Sequence, residues 1–148
     1  MAEVKAEIMI SAQPQKVWEL LTGDTLNAGY SLLGTSGLVA PGEGEKYEVG
    51  AIRRISGLLL SLDEEIIYFD PPRQMDFRIV RSSIPLDHRF GTIRLQPVEG
   101  GLTRTIWESR FEVNVPFAGG LLASTAGALI HQTYSSILGN IKAAAERG

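Results

Sequence analysis

The chain contains no cysteine, and that one absence removes disulfides, thiolate nucleophiles and cysteine-ligated metals from consideration. It has only two histidines, His88 and His131, and they do not fall with a carboxylate at ligand spacing, so no metal is expected. Positive charge is not in excess. The 14 lysines and arginines stand against 17 acids, for a net charge of −3 and a pI near 5.4. Such a surface offers no basic field for a phosphate backbone, and nucleic acid is not an expected partner. Long apolar runs are missing too: none approaches the roughly 20 residues that cross a bilayer, so stable membrane insertion is not expected. The stretch from Met1 to Glu7 lacks the positive-then-apolar order of a signal peptide, and a cytoplasmic location is the expectation. The familiar local signatures of catalysis are also absent. There is no Gly-x-Ser-x-Gly elbow, no phosphate loop and no dinucleotide fingerprint after a strand. No cofactor is expected.

What is present suits one ordinary domain over residues 1–148, since hydrophobic residues make up 44% of the chain and charged residues 21%. From Glu3 to Ser11 the side chains alternate, with Val4, Ala6, Ile8 and Ile10 on one side, which predicts a strand with one buried face. Pro14 suits the first turn of a short helix carrying Val17, Trp18, Leu20 and Leu21. Asp24 or Thr25 would cap a second short helix to about Gly29. Ser31 to Gly44 reads as loop and a weak edge strand near Leu38-Val39. Strand-sized runs follow at Gly50–Ser56, Leu58–Phe69, Gln74–Arg81, Asp87–Val98 and Thr103–Val113. Asp70-Pro71-Pro72-Arg73 must turn, because neither proline offers a ladder donor. Glu99-Gly100-Gly101 is a hairpin signal. Strands joined this tightly form an antiparallel meander, not a doubly wound parallel sheet.

The period then changes. Between Phe117 and Arg147, Leu121, Leu122, Leu129, Ile130, Tyr134, Ile137, Leu138 and Ile141 recur at helical spacing. Gly127 falls inside that helix, either for close packing against a strand or to leave room for a ligand. One helix about 10 Å wide cannot cover six or seven strands spaced about 4.8 Å apart unless the sheet curls around it. The fold class is therefore α+β, and the geometry favours a pocket between sheet and helix.

The order of Pro14-x-x-Val17-Trp18-x-Leu20-Leu21, Asp70-Pro71-Pro72-Arg73, Gly91-Thr92-Ile93-x-Leu95-x-Pro97 and Gly101-x-Thr103-Arg104-x-x-Trp107 resembles the polyketide cyclase/dehydrase and lipid-transport family. That family belongs to the START-like (Bet v 1-like, SRPBCC) superfamily. The resemblance implies a helix-grip fold: a seven-stranded curved antiparallel sheet around a long C-terminal helix, with two short helices after strand 1. It also implies a deep cavity that takes lipids, sterols, polyketides, hormones or quinones. The shared motifs are structural, so they speak for the fold more than for the function.

Strand alternation groups Thr105, Trp107, Ser109 and Phe111 on one face, Met75, Phe77, Ile79 and Arg81 on another, and Arg89, Gly91, Ile93 and Leu95 on a third. Trp107, Phe77, Ile79, Arg81, Arg89, Ile93, Ser109, Phe111, Glu64, Gly127, Ile130 and Tyr134 are thus the candidate cavity lining. For the aromatic members, plain core packing competes with ligand contact. Arg81 and Arg89 would point a guanidinium at a carboxylate, enolate or carbonyl oxygen, or else reach solvent from strand ends. Glu64 shares a face with Leu62 and Ile66, as a general base, an ion-pair partner of an arginine such as Arg54, or an exposed residue at a bulge. His88 and His131 read as surface or supporting residues.

The leading functional expectation is binding, sequestration or transport of a hydrophobic small molecule by a monomer or homodimer. The alternative is a polyketide cyclase/aromatase or dehydratase, for which Arg81, Arg89, Glu64 and Tyr68 are the available acids and bases. A buried Glu64 hydrogen-bonded to an interior arginine or tyrosine would favour that alternative. An interaction module with a filled core is a third reading.

Overall fold

The computed structural model describes residues 2–23, 34–42, 49–57, 60–113 and 119–147. In chain order the elements are β1 (Ala2–Ile10), α1 (Pro14–Leu21), β2 (Gly34–Ala40), β3 (Ile52–Gly57), β4 (Leu60–Asp70), β5 (Gln74–Ser82), β6 (Asp87–Val98), β7 (Leu102–Glu112) and α2 (Gly119–Glu146). The second short helix expected at 24–29 lies outside the described residues.

The strands form one antiparallel sheet of seven in the order β1-β7-β6-β5-β4-β3-β2. β2 to β7 are the expected meander, and β1 crosses to pair with the last strand, Ala6 opposite Trp107 and Val4 opposite Ser109. The expected turns fall at Asp70–Arg73, closed by Arg73 N–H donating to Asp70 O at 2.8 Å, and at Gly100-Gly101, both with positive φ. α2 is a 28-residue helix packed across the sheet, nearest β1 and β2, with α1 filling the corner between it and β6. Its polar end is tied to the β1–α1 corner. Lys142 Nζ donates to Met9 O at 3.0 Å, and Glu146 accepts from the Ser11 N–H at 2.8 Å. Among the described residues no helix is long and apolar enough to cross a membrane.

The concave face is the core. Val4, Ile66, Met75, Phe77, Ile93, Trp107 and Phe111 from the sheet meet Ile130, Tyr134, Ile137 and Ile141 from α2, all buried. The convex face carries cross-strand ion pairs: Glu3–Arg110, Glu7–Arg104, Glu108–Arg94, Glu65–Arg78, and Asp63 with both Arg54 and Arg81. Among the described residues, alternation between these faces is broken at four bulges. Register shifts at Val39, Ile67, Val80 and Arg89 each insert one residue, so that side chains beyond them change face.

At one end of the sheet the grip is loose. The β5–β6 ladder stops at Phe77–Gly91, and Ile79, Ile84, Leu86 and Val113 beyond it are only partly buried. Gly91 is required where it stands, because a Cβ there would lie 2.3 Å from Phe77 Cζ, inside the ring's own space.

Candidate functional site

Four elements bring a polar set into the apolar interior. β3 and β4 pair Arg53 with Glu64, and both side chains are 0% exposed. Arg53 Nε stands 3.7 Å from Glu64 Oε1, an ion pair too long to be a hydrogen bond. From α2, the Tyr134 hydroxyl donates to Glu64 Oε2 at 3.2 Å, and Ser109 of β7 hydrogen-bonds that hydroxyl in turn. A chain of contacts therefore runs from β3 through β4 and the helix to β7. Trp107 seals it from one side: its ring stacks on Tyr134 with centroids 4.0 Å apart and planes 11° apart. The Arg53 guanidinium lies 5.2 Å from the centroid of the Trp107 ring, within cation–π range.

Burial sets the electrostatics. Desolvation pushes the Glu64 carboxyl up to about 7 from 4.5, against the smaller opposing pulls of Arg53 and the Tyr134 hydrogen bond. Burial likewise pushes the Tyr134 hydroxyl well above its usual range, helped by the nearby Glu64 charge, so it remains a donor. Three buried polar atoms here, Glu64 Oε1, Trp107 Nε1 and Thr105 Oγ1, have no hydrogen-bond partner among the described residues. Such atoms are costly to bury, about 1–3 kcal/mol each.

The structure buries most of the residues expected to line a cavity. Trp107, Phe77, Ile93, Ser109, Phe111, Glu64, Ile130 and Tyr134 are buried, and Ile79 is partly buried at the loose end. Arg81 is a correction. The bulge at Val80 puts Ile79 opposite Glu64 but Arg81 opposite Asp63, on the convex face. There Arg81 Nε binds Asp63 Oδ2 at 2.9 Å and Nη2 binds Ser61 Oγ at 2.7 Å. Tyr68 leaves the interior for the same reason: after the bulge at Ile67 it pairs with Asp76 and is exposed. Arg89 sits in the bulge between His88 and Phe90, and its side chain lies outside the described residues. The arginine facing Glu64 is Arg53, not Arg54, which the register places opposite Asp63. Arg53 shares parity with the buried Ala51 and Ile55, and that was the signal available for finding it.

Gly127 takes a different place. It lines a hollow of about 480 Å³ at the sheet edge, with Val4 and Lys5 of β1 and Ser124 and His131 of α2. A Cβ at Gly127 would meet Val4 at 3.7 Å and Phe111 at 3.9 Å, ordinary contact distances, so packing does not demand glycine. This hollow is larger than the one of about 140 Å³ lined by Phe90, Thr92, Glu108, Ser109 and Arg110, yet the buried polar chemistry is elsewhere. Arg53, Glu64 and Tyr134 converge in the interior, and convergence of chemistry outweighs the size of an open groove. Among the described residues no group of three histidines or acids is placed to hold a metal.

The family model described as "Polyketide cyclase / dehydrase and lipid transport" matches residues 1–146. No curated protein matches the sequence. Among solved structures, a protein of Thermus thermophilus is similar at 23% identity and a TM-score of 0.73, over 99% of this chain and 98% of that one. A START superfamily protein of Mycobacterium smegmatis is similar at 11% identity and a TM-score of 0.67, over 98% and 97%. The ZhuI aromatase/cyclase of a Streptomyces species is similar at 16% identity and a TM-score of 0.70, over 99% and 94%. At these identities the structural likenesses carry the fold, which is the START-like helix grip.

Proposed function

The chain belongs to the polyketide cyclase/dehydrase and lipid-transport family, and on that premise we propose that it binds a mostly apolar small molecule between sheet and long helix. Residues 1–148 act as one ligand-binding domain, with Arg53, Glu64 and Tyr134 at the polar end of the bound molecule.

The observation that carries this reading is the buried polar set itself. A buried ion pair is a poor way to stabilise a core, and apolar residues of like volume are as good or better by 1–4 kcal/mol. Here the pair is also imperfect, at 3.7 Å, with a carboxylate oxygen and an indole N–H left over. A ligand with one polar end would complete it, while Phe77, Ile79, Ile93 and Phe111 supply apolar contact worth roughly 25 cal/mol per Å² buried. The partly buried side chains around Ile79, Ile84, Leu86 and Val113 suit the mouth of such a site.

Native mass spectrometry of freshly purified protein, with denaturing extraction of whatever it carries, tests the reading. A stoichiometric apolar compound supports it. A clean protein that also takes up no apolar fluorescent probe counts against an accessible interior.

One observation favours a second reading, catalysis on an enolisable substrate. A carboxyl that titrates at about 7 and shares a hydrogen bond with a tyrosine is matched to proton transfer at neutral pH. Polyketide cyclisation needs proton shuttling and shape more than a triad. Exchange of the C1 protons of 2-tetralone for deuterium, followed by NMR, separates the two: wild type accelerates it and Glu64→Gln does not if Glu64 is a base. Equal rates in both leave binding as the function.

A further inference from the structure

Among the described residues β1 has a neighbour on one side only, β7, so it ends the sheet. Which of its backbone groups face the open side follows from the register. Pro97 has no N–H and stands opposite Thr103, which makes that pair a wide, unbonded one of the antiparallel ladder. Thr103 therefore turns its bonding groups the other way, toward Ile10 of β1. Bonded pairs alternate from there, which commits Ile8, Ala6, Val4 and Ala2 to β7 and turns the N–H and C=O of Glu3, Lys5, Glu7 and Met9 outward. The Met9 carbonyl agrees, since Lys142 Nζ of α2 reaches it at 3.0 Å.

The two ends of this edge differ. At Met9 and Ser11 the side chains of Lys142 and Glu146 already occupy backbone groups. Along Ala2–Lys5 the helix stands off, and the hollow of about 480 Å³ lies between them. We propose that Ala2–Ala6 of one copy pairs antiparallel with the same stretch of a second copy, joining two sheets edge to edge. Charge selects the register. A two-fold axis at Val4 sets Glu3 opposite the partner's Lys5 and, by symmetry, Lys5 opposite the partner's Glu3. Glu3 and Lys5 are also the residues whose backbone faces outward, so this register forms about four main-chain hydrogen bonds. An axis at Lys5 would set lysine on lysine and Glu3 on Glu7. An axis at Ala6 would set Glu3 on Met9, whose carbonyl Lys142 already holds. Both side chains are free to engage: Glu3 and Lys5 are exposed, and Glu3 stays 67% exposed with Arg110 beside it at 3.1 Å. The opposite edge lacks these features, because β2 is broken by the bulge at Val39 and carries no charge from Gly34 to Ala40. So short a ladder makes a weak dimer that depends on concentration.

Sedimentation velocity of the full chain over a hundredfold range of concentration tests this. Wild type is expected to shift from monomer toward dimer as concentration rises. Lys5→Glu turns two attractive pairs into two repulsive ones and is expected to weaken association about tenfold. The exchange Glu3→Lys/Lys5→Glu restores opposite charges across the axis and is expected to recover it. Lys5→Pro removes an outward N–H that β7 does not use, and is expected to leave a folded monomer. Should that variant fail to fold, the charge variants decide alone. A wild-type chain that stays monomeric throughout overturns the proposal. So does a dimer that Lys5→Glu leaves unchanged, since it would then form through another face.

Discussion

Asp63 and Glu64 are consecutive carboxylates on β4, and the sheet sends them to opposite fates. Asp63 points to the convex face, where Arg54 and Arg81 both reach it and hold its carboxyl down to about 2. Glu64 points into the concave face, where desolvation outweighs Arg53 and holds its carboxyl up to about 7. Two differences separate them: Arg54 and Arg81 hydrogen-bond Asp63, whereas Arg53 stands 3.7 Å from Glu64 and makes no hydrogen bond to it, and Glu64 alone is stripped of water. The two guanidinium groups on Asp63 are nearly half exposed, so that carboxylate keeps solvent access around its partners. The Arg53–Glu64 pair has none. Successive side chains on a strand face opposite ways, so one step along a backbone moves a group from surface to core dielectric.

The sharpest way to break this comparison is to remove one partner from the buried pair. Arg53→Met leaves Glu64 without its counter-charge, and loss of a buried partner costs about 3–5 kcal/mol. Because a protonated Glu64 needs no counter-charge, the loss shrinks in acid. Urea unfolding at pH 8 and pH 5 is expected to show the larger destabilisation at pH 8. Equal losses at both would mean that Arg53 acts through packing on Trp107 alone.

The next effect is read from the wild-type protein. Folded Glu64 keeps its proton to about pH 7, whereas in the unfolded chain it releases it near 4.5. Between those values the folded state holds more protons, so stability falls as pH rises across that window and levels off above it. The shift corresponds to a few kcal/mol at most. Asp63 works in the reverse sense: its contribution is full above pH 3.8 and is lost as pH falls toward 2. Chemical unfolding from pH 4.5 to 8 is expected to trace the Glu64 decline in wild type, and to be flat in Glu64→Gln. A wild-type curve with no slope there would place the Glu64 carboxyl near its ordinary value.

A third test concerns packing on the same concave face. Gly91→Ala drives a methyl group into the Phe77 ring, where its Cβ would stand 2.3 Å from Cζ. Overpacking of this kind costs about 1–3 kcal/mol. Thermal unfolding is expected to fall by several degrees, and recovery in Gly91→Ala/Phe77→Leu would confirm the clash as the cause.

Much of this was legible in the sequence, for identifiable reasons. Turns with a chemical necessity, at Pro71-Pro72 and Gly100-Gly101, set the meander, and the change from period two to period 3.6 after Phe117 located the long helix. Parity along an unbroken strand placed Thr105, Trp107, Ser109 and Phe111 together, and Glu64 with Leu62 and Ile66. Parity failed where the register slips. Nothing in Ile79-Val80-Arg81 announces a bulge, so Arg81 read as interior and is not, and Tyr68 was misplaced in the same way after Ile67. Of the two adjacent arginines, parity with Ala51 and Ile55 assigns Arg53 to the interior, but only pairing with β4 sets it opposite Glu64. The Tyr134 contact spans 70 residues, a distance over which local pattern carries no register.

The smallest expected effect lies on the convex face, and its smallness is the point. Asp63→Asn removes a carboxylate that two arginines share, yet surface ion pairs are worth about 0–1 kcal/mol because water and salt compete for the same charges. Two guanidinium groups left facing each other add some repulsion, which places the expected loss near 1 kcal/mol at pH 7 and low salt. Raising the salt to 1 M, where screening acts within about 3 Å, is expected to shrink the difference between wild type and variant. The Arg53→Met difference at pH 8 is expected to hold under the same salt, since ions do not enter a fully buried pair. If salt reduced both alike, the concave pair would be reached by solvent, and the contrast between neighbouring carboxylates would need another cause than burial.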